Sequence, residues 1–359
     1  MIDQKEITII ATTDVHGRYF PSILSEGQCS PAQASLAQVN SCVEAFRREG
    51  PVVLLDAGDF AYGGPAAYFY NHYPTEGYLP AEICRFMAYD AITPGNHDFE
   101  TRFVSEPLPF LSNSATVIER GGTRVLVVGL TFPIDVAAAV ALIRKAMAEN
   151  EFDYLVGLFH DCDKSFEIAK TVPEFDLIVM GHEHHSIGKW TLGRTILINP
   201  GSRANSVVRF TCGKSGRSAE IIDCSKLPAD VCYMERFAPE IKATREFASR
   251  VIATLREPVA VTDLFSAAQR LATGIDEAVT LPSSEILSGD VTVGDTFRFS
   301  PYDDRIATVR LSDGRLVSAP EIVGRGLGEI VKVSELGSRH FIFEALRLMG
   351  QQMPSKSEG

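Results

Sequence analysis

A succession of short apolar runs, nearly all closed by a polar or glycine-containing segment, constrains this chain more than any other feature. Ile7 to Ala11, Val52 to Leu55, Arg124 to Leu130, Tyr154 to Phe159, Leu177 to Met180 and Thr195 to Ile198 each read as a strand. Helical stretches lie between them, including Pro31 to Glu49, closed by Gly50 and Pro51, and the Ala-rich Asp135 to Glu149. Strands that alternate with helices predict a layered α/β domain, and such domains place their chemistry on the segments that leave the strand ends.

The chain has 359 residues, more than one compact core usually organises, so two domains are expected, and a 45% hydrophobic content is ample for both. No apolar stretch approaches the eighteen or so uninterrupted residues of a membrane span, and Met1 to Glu6 is polar, without the basic and apolar regions of a leader. No membrane partner is expected. A formal net charge of -12 without clustered Lys and Arg argues against a nucleic-acid polymer as partner. A small anionic ligand is compatible with that charge, because bound cations supply a positive field locally. The seven cysteines, at 29, 42, 84, 162, 212, 224 and 232, include no C-x-x-C pair, and their odd number fits reduced thiols. A cytoplasmic protein is therefore expected, or an exported one if a leader has been removed.

Residues 1–238 are expected to form the first domain and 239–257 a linker helix, since Pro239 to Leu255 carries a charged helical pattern that Pro258 breaks. A smaller second domain is expected over 258–350. It contains a helix at Thr262 to Thr273, then Val291 to Phe299, and Arg305 to Leu311 as an alternating strand closed by the turn Ser312-Asp313-Gly314. Residues 351–359 have the composition of a disordered tail.

Chemistry-bearing side chains gather at the strand ends. Asp14 and His16 follow the first run in TTDVHG, and i, i+2 spacing in extended backbone points two side chains the same way. Asp59 sits in LLDAGDF just after the second apolar run, and Asn96, His97 and Asp98 sit in TPGNHDFE, where Pro94 and Gly95 force a tight turn. His160 ends LVGLFH, and His182 and His184 follow LIVM in GHEHH, again at i, i+2. Any one of these is an ordinary cap or turn residue. Their ordered combination of D-x-H, G-D, G-N-H-D, a strand-end His and G-H-x-H is not. Imidazole, carboxylate and amide oxygen without thiolate suit borderline divalent ions such as Mn, Zn, Fe or Co. A bridging carboxylate, Asp59, would hold two such ions roughly 3.5–4 Å apart, the spacing at which a shared hydroxide attacks phosphorus in line.

This order of motifs resembles the calcineurin-like metallophosphoesterases, and within them the 5'-nucleotidase branch. The later segment VTVGDTFRFSPYDDRIATVRLSDGRL is similar to the carboxy-terminal nucleotide-binding domain of the same branch. The resemblance implies a four-layer α/β/β/α sandwich with a second, smaller α+β domain, shortened here, and a phosphomonoesterase acting on a nucleotide. It implies two divalent cations, with Asp14, His16 and His184 on the first, Asn96, His160 and His182 on the second, and Asp59 between them. His97 is then the catalytic histidine, with Glu100 as its acidic partner and Asp98 as an alternative, while His185 is a solvated histidine. Tyr302 stands where the branch stacks a Phe on the nucleobase, and Phe341 or Phe343 is the candidate for a second stacking ring. The chain departs from the branch at LPSSEIL, which lacks the branch's substrate-clamping Arg. A different phosphate ester, such as a cyclic nucleotide, a sugar phosphate or a biosynthetic intermediate, is the alternative substrate; a non-catalytic binding protein is the alternative class.

Overall fold

The computed structural model describes residues 6–21, 34–213 and 216–351. The chain divides into two compact units, Met1–Lys242 and Ala243–Gly359.

The first unit is built on two sheets. β1 (Ile7–Thr12), β2 (Val52–Asp56), β3 (Ala91–Ile92), β10 (Ser206–Gly213) and β11 (Gly216–Asp223) form one, in the order β11-β10-β1-β2-β3. β4 (Ser114–Arg120), β5 (Thr123–Leu130), β6 (Tyr154–Phe159), β7 (Leu177–Met180), β8 (Gly188–Leu192) and β9 (Thr195–Asn199) form the other, in the order β4-β5-β6-β7-β9-β8. β1, β2 and β3 are parallel to one another, and so are β5, β6, β7 and β9. Strands buried on both faces read as continuous apolar runs, which is why they were visible in the sequence.

The apolar residues sort into three layers of core. Ile7, Ile9, Val53 and Leu55 of the first sheet pack against Val125, Val127, Leu158 and Val179 of the second. On the outer face of the first sheet, Ile10 and Leu54 meet α1 (Leu36–Glu49), α2 (Gly64–His72) and α3 (Leu79–Met87). On the outer face of the second, Leu126, Leu155 and Ile178 meet α4 (Val136–Glu149) and α5 (Cys162–Thr171). Helix, sheet, sheet, helix is the expected four-layer sandwich.

Local chemistry sets the helix bounds. α1 starts at Leu36, later than the Pro31 expected, because Ser35 and Gln38 close a capping box there; residues 31–33 of the expected helix lie outside the described residues. Asp135 caps α4 by accepting from Ala138 N. α6 (Val231–Arg236) and α7 (Ala238–Ala248) follow β11.

The second unit is a small α+β assembly. It contains the antiparallel pair of β12 (Val251–Ala260) with β13 (Ile286–Thr292), joined through helix α8 (Val261–Thr273), then helix α9 (Val293–Phe299) and the sheet β15-β14-β16. That sheet comprises β14 (Arg305–Arg310), β15 (Leu316–Pro320) and β16 (Glu329–Gly337), with α10 (Glu321–Leu327) and α11 (Ser338–Gln351). The expected linker helix over 239–257 is corrected: the helix stops at Ala248 and 251–260 is strand. Ala253 and Leu255 alternate inward, and Pro258 sits in a register shift between Leu255 and Val259, where its missing N–H breaks no ladder bond. The stretch Val291 to Phe299 likewise changes type within itself. Thr292 ends the strand and, with Asp295, forms the capping box of α9. Gln351, expected in the tail, ends α11, and residues 352–359 lie outside the described residues. Among the described residues, no helix is long and apolar enough to cross a membrane.

Candidate metal centre

The loops leaving the carboxyl ends of β1, β2, β3, β6 and β7 converge at one end of the sandwich. Two groups of side chains result. Asp14, His16 and His184 present one ligand atom each within 4.8 Å of one another, and so do Asp59, His160 and His182.

The convergence is made by turns rather than by extended backbone, which corrects the i, i+2 reading of both D-x-H and H-x-H. β1 ends at Thr12, and beyond it Asp14 (φ 49°) and His16 (φ 48°) occupy the left-handed region, as do Asp59 (φ 56°) and His182 (φ 78°). Non-glycine residues held there cost free energy, of order 1–3 kcal/mol each, and such outliers cluster where function requires them. Glycine makes room beside them. At Gly95 a Cβ would collide with the Asp59 carboxylate and stand 2.5 Å from the Asp59 backbone nitrogen. Gly95→Ala should therefore displace Asp59 and weaken zinc binding at least about tenfold, measured by titration calorimetry; unchanged affinity would show that Asp59 does not depend on this close approach.

Hydrogen bonds fix which nitrogen of each ring faces the centre. His16 Nδ1 lies 3.1 Å from the Tyr62 carbonyl and His160 Nδ1 2.7 Å from the Ala57 carbonyl. A carbonyl only accepts, so both Nδ1 atoms carry protons and both Nε2 atoms present lone pairs when the rings are neutral. His16 Nε2 lies 2.9 Å from His184 Nε2 and 3.8 Å from Asp14 Oδ1. His160 Nε2 is 3.2 Å from Asp59 Oδ2, yet hydrogen-bonds to none of the described residues. Asn96 Oδ1, also buried, has no hydrogen-bond partner among them either. Acceptors aimed at one another from both sides are what a cation would satisfy, and this donor set fits divalent ions.

Asp59 stands between the groups. Its Oδ2 is 3.2 Å from His160 Nε2 and 3.8 Å from His16 Nε2, while its Oδ1 accepts from His97 N at 2.9 Å. Burial opposes the charge on Asp59, but the neighbouring histidines outweigh it and hold the carboxyl well below the usual range. The same contest runs the other way at His160. Burial favours its neutral ring, yet Asp59 and Asp14 push it up to about 10, so a positive charge is strongly favoured at that spot. Burial lowers His16 to about 4 against the pull of both carboxylates. Burial also works against Asp14, whose pKa is nevertheless lowered by His184, His160 and His16.

The three residues of the His97 turn separate in use. His97 Nδ1 meets Glu100 Oε1 at 2.9 Å, so the acidic partner is Glu100. Asp98, the alternative, turns the other way and is fully buried. Its Oδ1 accepts from Phe60 N (3.0 Å) and Ala61 N (2.8 Å), and its Oδ2 from Gly95 N (2.9 Å), which ties the Asp59 loop to the Asn96 turn. Burial and the nearby Asp59 charge raise Asp98 to about 7. His185 is exposed, in keeping with a solvated histidine.

Two aromatic rings at the centre escaped the sequence reading. Tyr62 stacks on His97 with ring centroids 4.6 Å apart and planes 9° from parallel, and Phe132 stacks on His182 at 4.2 Å and 23°. Neither sits in a motif, so only tertiary packing reveals them.

The candidate substrate residues lie in the second unit, which has its own apolar cavity of about 250 Å3. Tyr302 lines it together with Phe265, Phe299, Ile306 and Ile342. Phe341 does not. It packs against the apolar core of that unit, as does Phe343. Arg339, unnoticed in the sequence, is fully buried and donates to the carbonyls of Ser300 and Tyr302, holding the segment that carries Tyr302.

Known proteins are similar to this chain in sequence or in fold. A stretch of 209 residues is 27% identical to rat 5'-nucleotidase; it covers 51% of this chain but only 35% of that protein, so the chain matches about a third of the curated relative's length. A Staphylococcus aureus protein solved in complex with alpha-ketoglutarate superposes over 95% of this chain and 96% of its own, with a TM-score of 0.74 at 15% identity. A 5'-nucleotidase precursor from Thermus thermophilus does so over 96% and 97%, with a TM-score of 0.69 at 14% identity. At such identities the structures establish a shared fold. The sequence model for calcineurin-like phosphoesterases matches residues 7–186. That stretch is half of the chain and contains every residue of both side-chain groups: this protein is a member of the calcineurin-like phosphoesterase family.

Proposed function

We propose that the chain is a metal-dependent phosphomonoesterase that hydrolyses a nucleotide. The observation that carries this reading is the convergence of lone-pair-bearing histidine nitrogens and carboxylate oxygens on two adjacent points, with Asp59 shared between them. Asp14, His16 and His184 would hold one divalent ion, Asn96, His160 and His182 the other, and Asp59 both. When bound, such ions would neutralise phosphoryl charge and lower the pKa of a coordinated water toward neutrality.

The chain's own residues do the rest. Asp98 locks the Asp59 loop onto the Asn96 turn, so that ligands from different strands stay in register. Glu100 accepts a hydrogen bond from His97 Nδ1 and so orients the ring, and a protonated Nε2 would then donate to a phosphoryl oxygen on which charge develops. Nucleotide substrates are supported by the likeness to 5'-nucleotidases and by Tyr302, an aromatic lining the cavity of the second unit.

A second reading keeps the centre and changes the ester, to a cyclic nucleotide, a sugar phosphate or a biosynthetic intermediate. The absence of an arginine from residues 281–287 favours it, since a bidentate clamp on an anionic group is then lacking there. The test is phosphate release from nucleoside monophosphates, cyclic nucleotides and sugar phosphates, with Mn, Co, Zn or Mg added. Nucleoside monophosphates should give the highest kcat/KM. Chelation should remove activity, and one or more of the metals should restore it. Preference for another ester would establish the second reading, and binding of two metal equivalents without turnover of any ester would mark a non-catalytic protein.

A further inference from the structure

We infer that Tyr62 is a positioning residue for His97, its ring setting the plane in which the imidazole meets the phosphoryl group; the inference rests on the phosphoesterase reading above. The two rings are close to parallel, 9° apart, with centroids 4.6 Å from one another. Tyr62 is only 8% exposed, so its ring is itself held in place.

The placement follows from the chain just before Tyr62. Phe60 N and Ala61 N both donate to Asp98 Oδ1, and Gly95 N donates to the other oxygen of the same carboxylate. One buried carboxylate thus pins the segment leading to Tyr62 against the turn that carries His97. His97 begins a single turn of tight helix that ends at Glu100, and its side chain stays 19% exposed. A half-open imidazole on so short an element keeps alternative rotamers unless its faces are packed. Glu100 meets one ring nitrogen, and a hydrogen bond through one atom fixes a direction rather than the plane of the ring. The Tyr62 face, nearly parallel to the imidazole, supplies that plane, while the His16 ring meets His97 edge-on with centroids 5.9 Å apart.

Tyr62 also touches the centre by its backbone, whose carbonyl accepts from His16 Nδ1. That contact survives any change of side chain, so substitutions isolate the ring. Tyr62→Leu removes the stack at similar bulk, while Tyr62→Phe keeps it and removes only the phenol.

The experiment uses the full chain loaded with zinc and p-nitrophenyl phosphate as probe. Tyr62→Leu should lower kcat about two- to twelvefold, which at 1.36 kcal/mol per tenfold is roughly the 0.5–1.5 kcal/mol of an aromatic pair. KM and the two zinc equivalents should stay unchanged, and Tyr62→Phe should restore most of the loss. A second readout does not need turnover. In histidine-labelled protein, the His97 ring protons should show Overhauser contacts to the Tyr62 ring and an upfield shift that disappears in Tyr62→Leu. An unchanged kcat in Tyr62→Leu, a loss carried by KM, or the absence of those contacts in the unaltered protein would overturn the inference. If Tyr62→Leu fails to fold, the contacts in the unaltered protein and the kcat of Tyr62→Phe decide it. An unaltered protein that turns over no ester refutes the phosphoesterase reading instead, and the contacts still report whether the stack exists.

Discussion

If the chain is the two-metal phosphoesterase proposed above, Asp59→Ala should cost at least one of two metal equivalents and lower phosphate release at least about a thousandfold, roughly 4 kcal/mol of transition-state stabilisation. The magnitude follows from position. Asp59 Oδ2 reaches toward His160 at 3.2 Å and toward His16 at 3.8 Å, one from each group, so a single deletion injures both points. Deletion also removes the negative charge that offsets the concentrated imidazoles, and leaves the His97 backbone N–H without its 2.9 Å acceptor. Asp59→Asn separates these effects, because the amide oxygen can keep the His97 contact while losing the charge. Metal content after dialysis, read by mass spectrometry, together with initial rates, checks both variants. Retention of two equivalents with activity within tenfold of the unaltered protein would show that Asp59 does not bridge.

His97→Ala should behave differently, with kcat down about 10²–10³-fold while KM and metal content hold. The side chain of His97 belongs to neither ligand group, and its backbone N–H donates to Asp59 Oδ1, a bond that alanine preserves. What is lost is the imidazole that Glu100 orients, a group that would act when charge develops on the phosphoryl oxygens. Loss of a metal equivalent in this variant would make His97 a ligand instead. Activity unchanged under saturating metal would remove it from the reaction.

Much of the centre was legible in the sequence, for a physical reason. Parallel strands buried on both faces are written as unbroken apolar runs, and a polar residue that ends such a run must lie where the strands open to a site. Asp59 and His160 are read in that way. The local geometry was less legible. The pairs Asp14 with His16 and His182 with His184 looked like extended alternation, but Asp14, His16 and His182 sit in the left-handed region and His182 and His184 go to different groups, a geometry with no signature in composition. Asp98 could be taken for a partner of His97, because nothing in GNHD tells that its carboxylate is claimed by three backbone amides. Residues 251–257 were expected to continue the charged helix, whereas period-two burial of Ala253 and Leu255 decides the span 251–260 as strand. Tyr62 and Phe132 were invisible, since a stacked ring is a property of two distant segments brought together.

The two ligand groups share one further property. Asp14 and His16 leave the first sheet while their companion His184 leaves the second, and Asp59 leaves the first sheet while His160 and His182 leave the second. Each cation would thus act as a rivet through both halves of the sandwich, and prying the sheets apart would first require releasing it. A ligand bound only by the folded form, at a hundred times its Kd, adds about 2.7 kcal/mol per site. Cation supply would then govern how long this molecule survives as well as how fast it turns over.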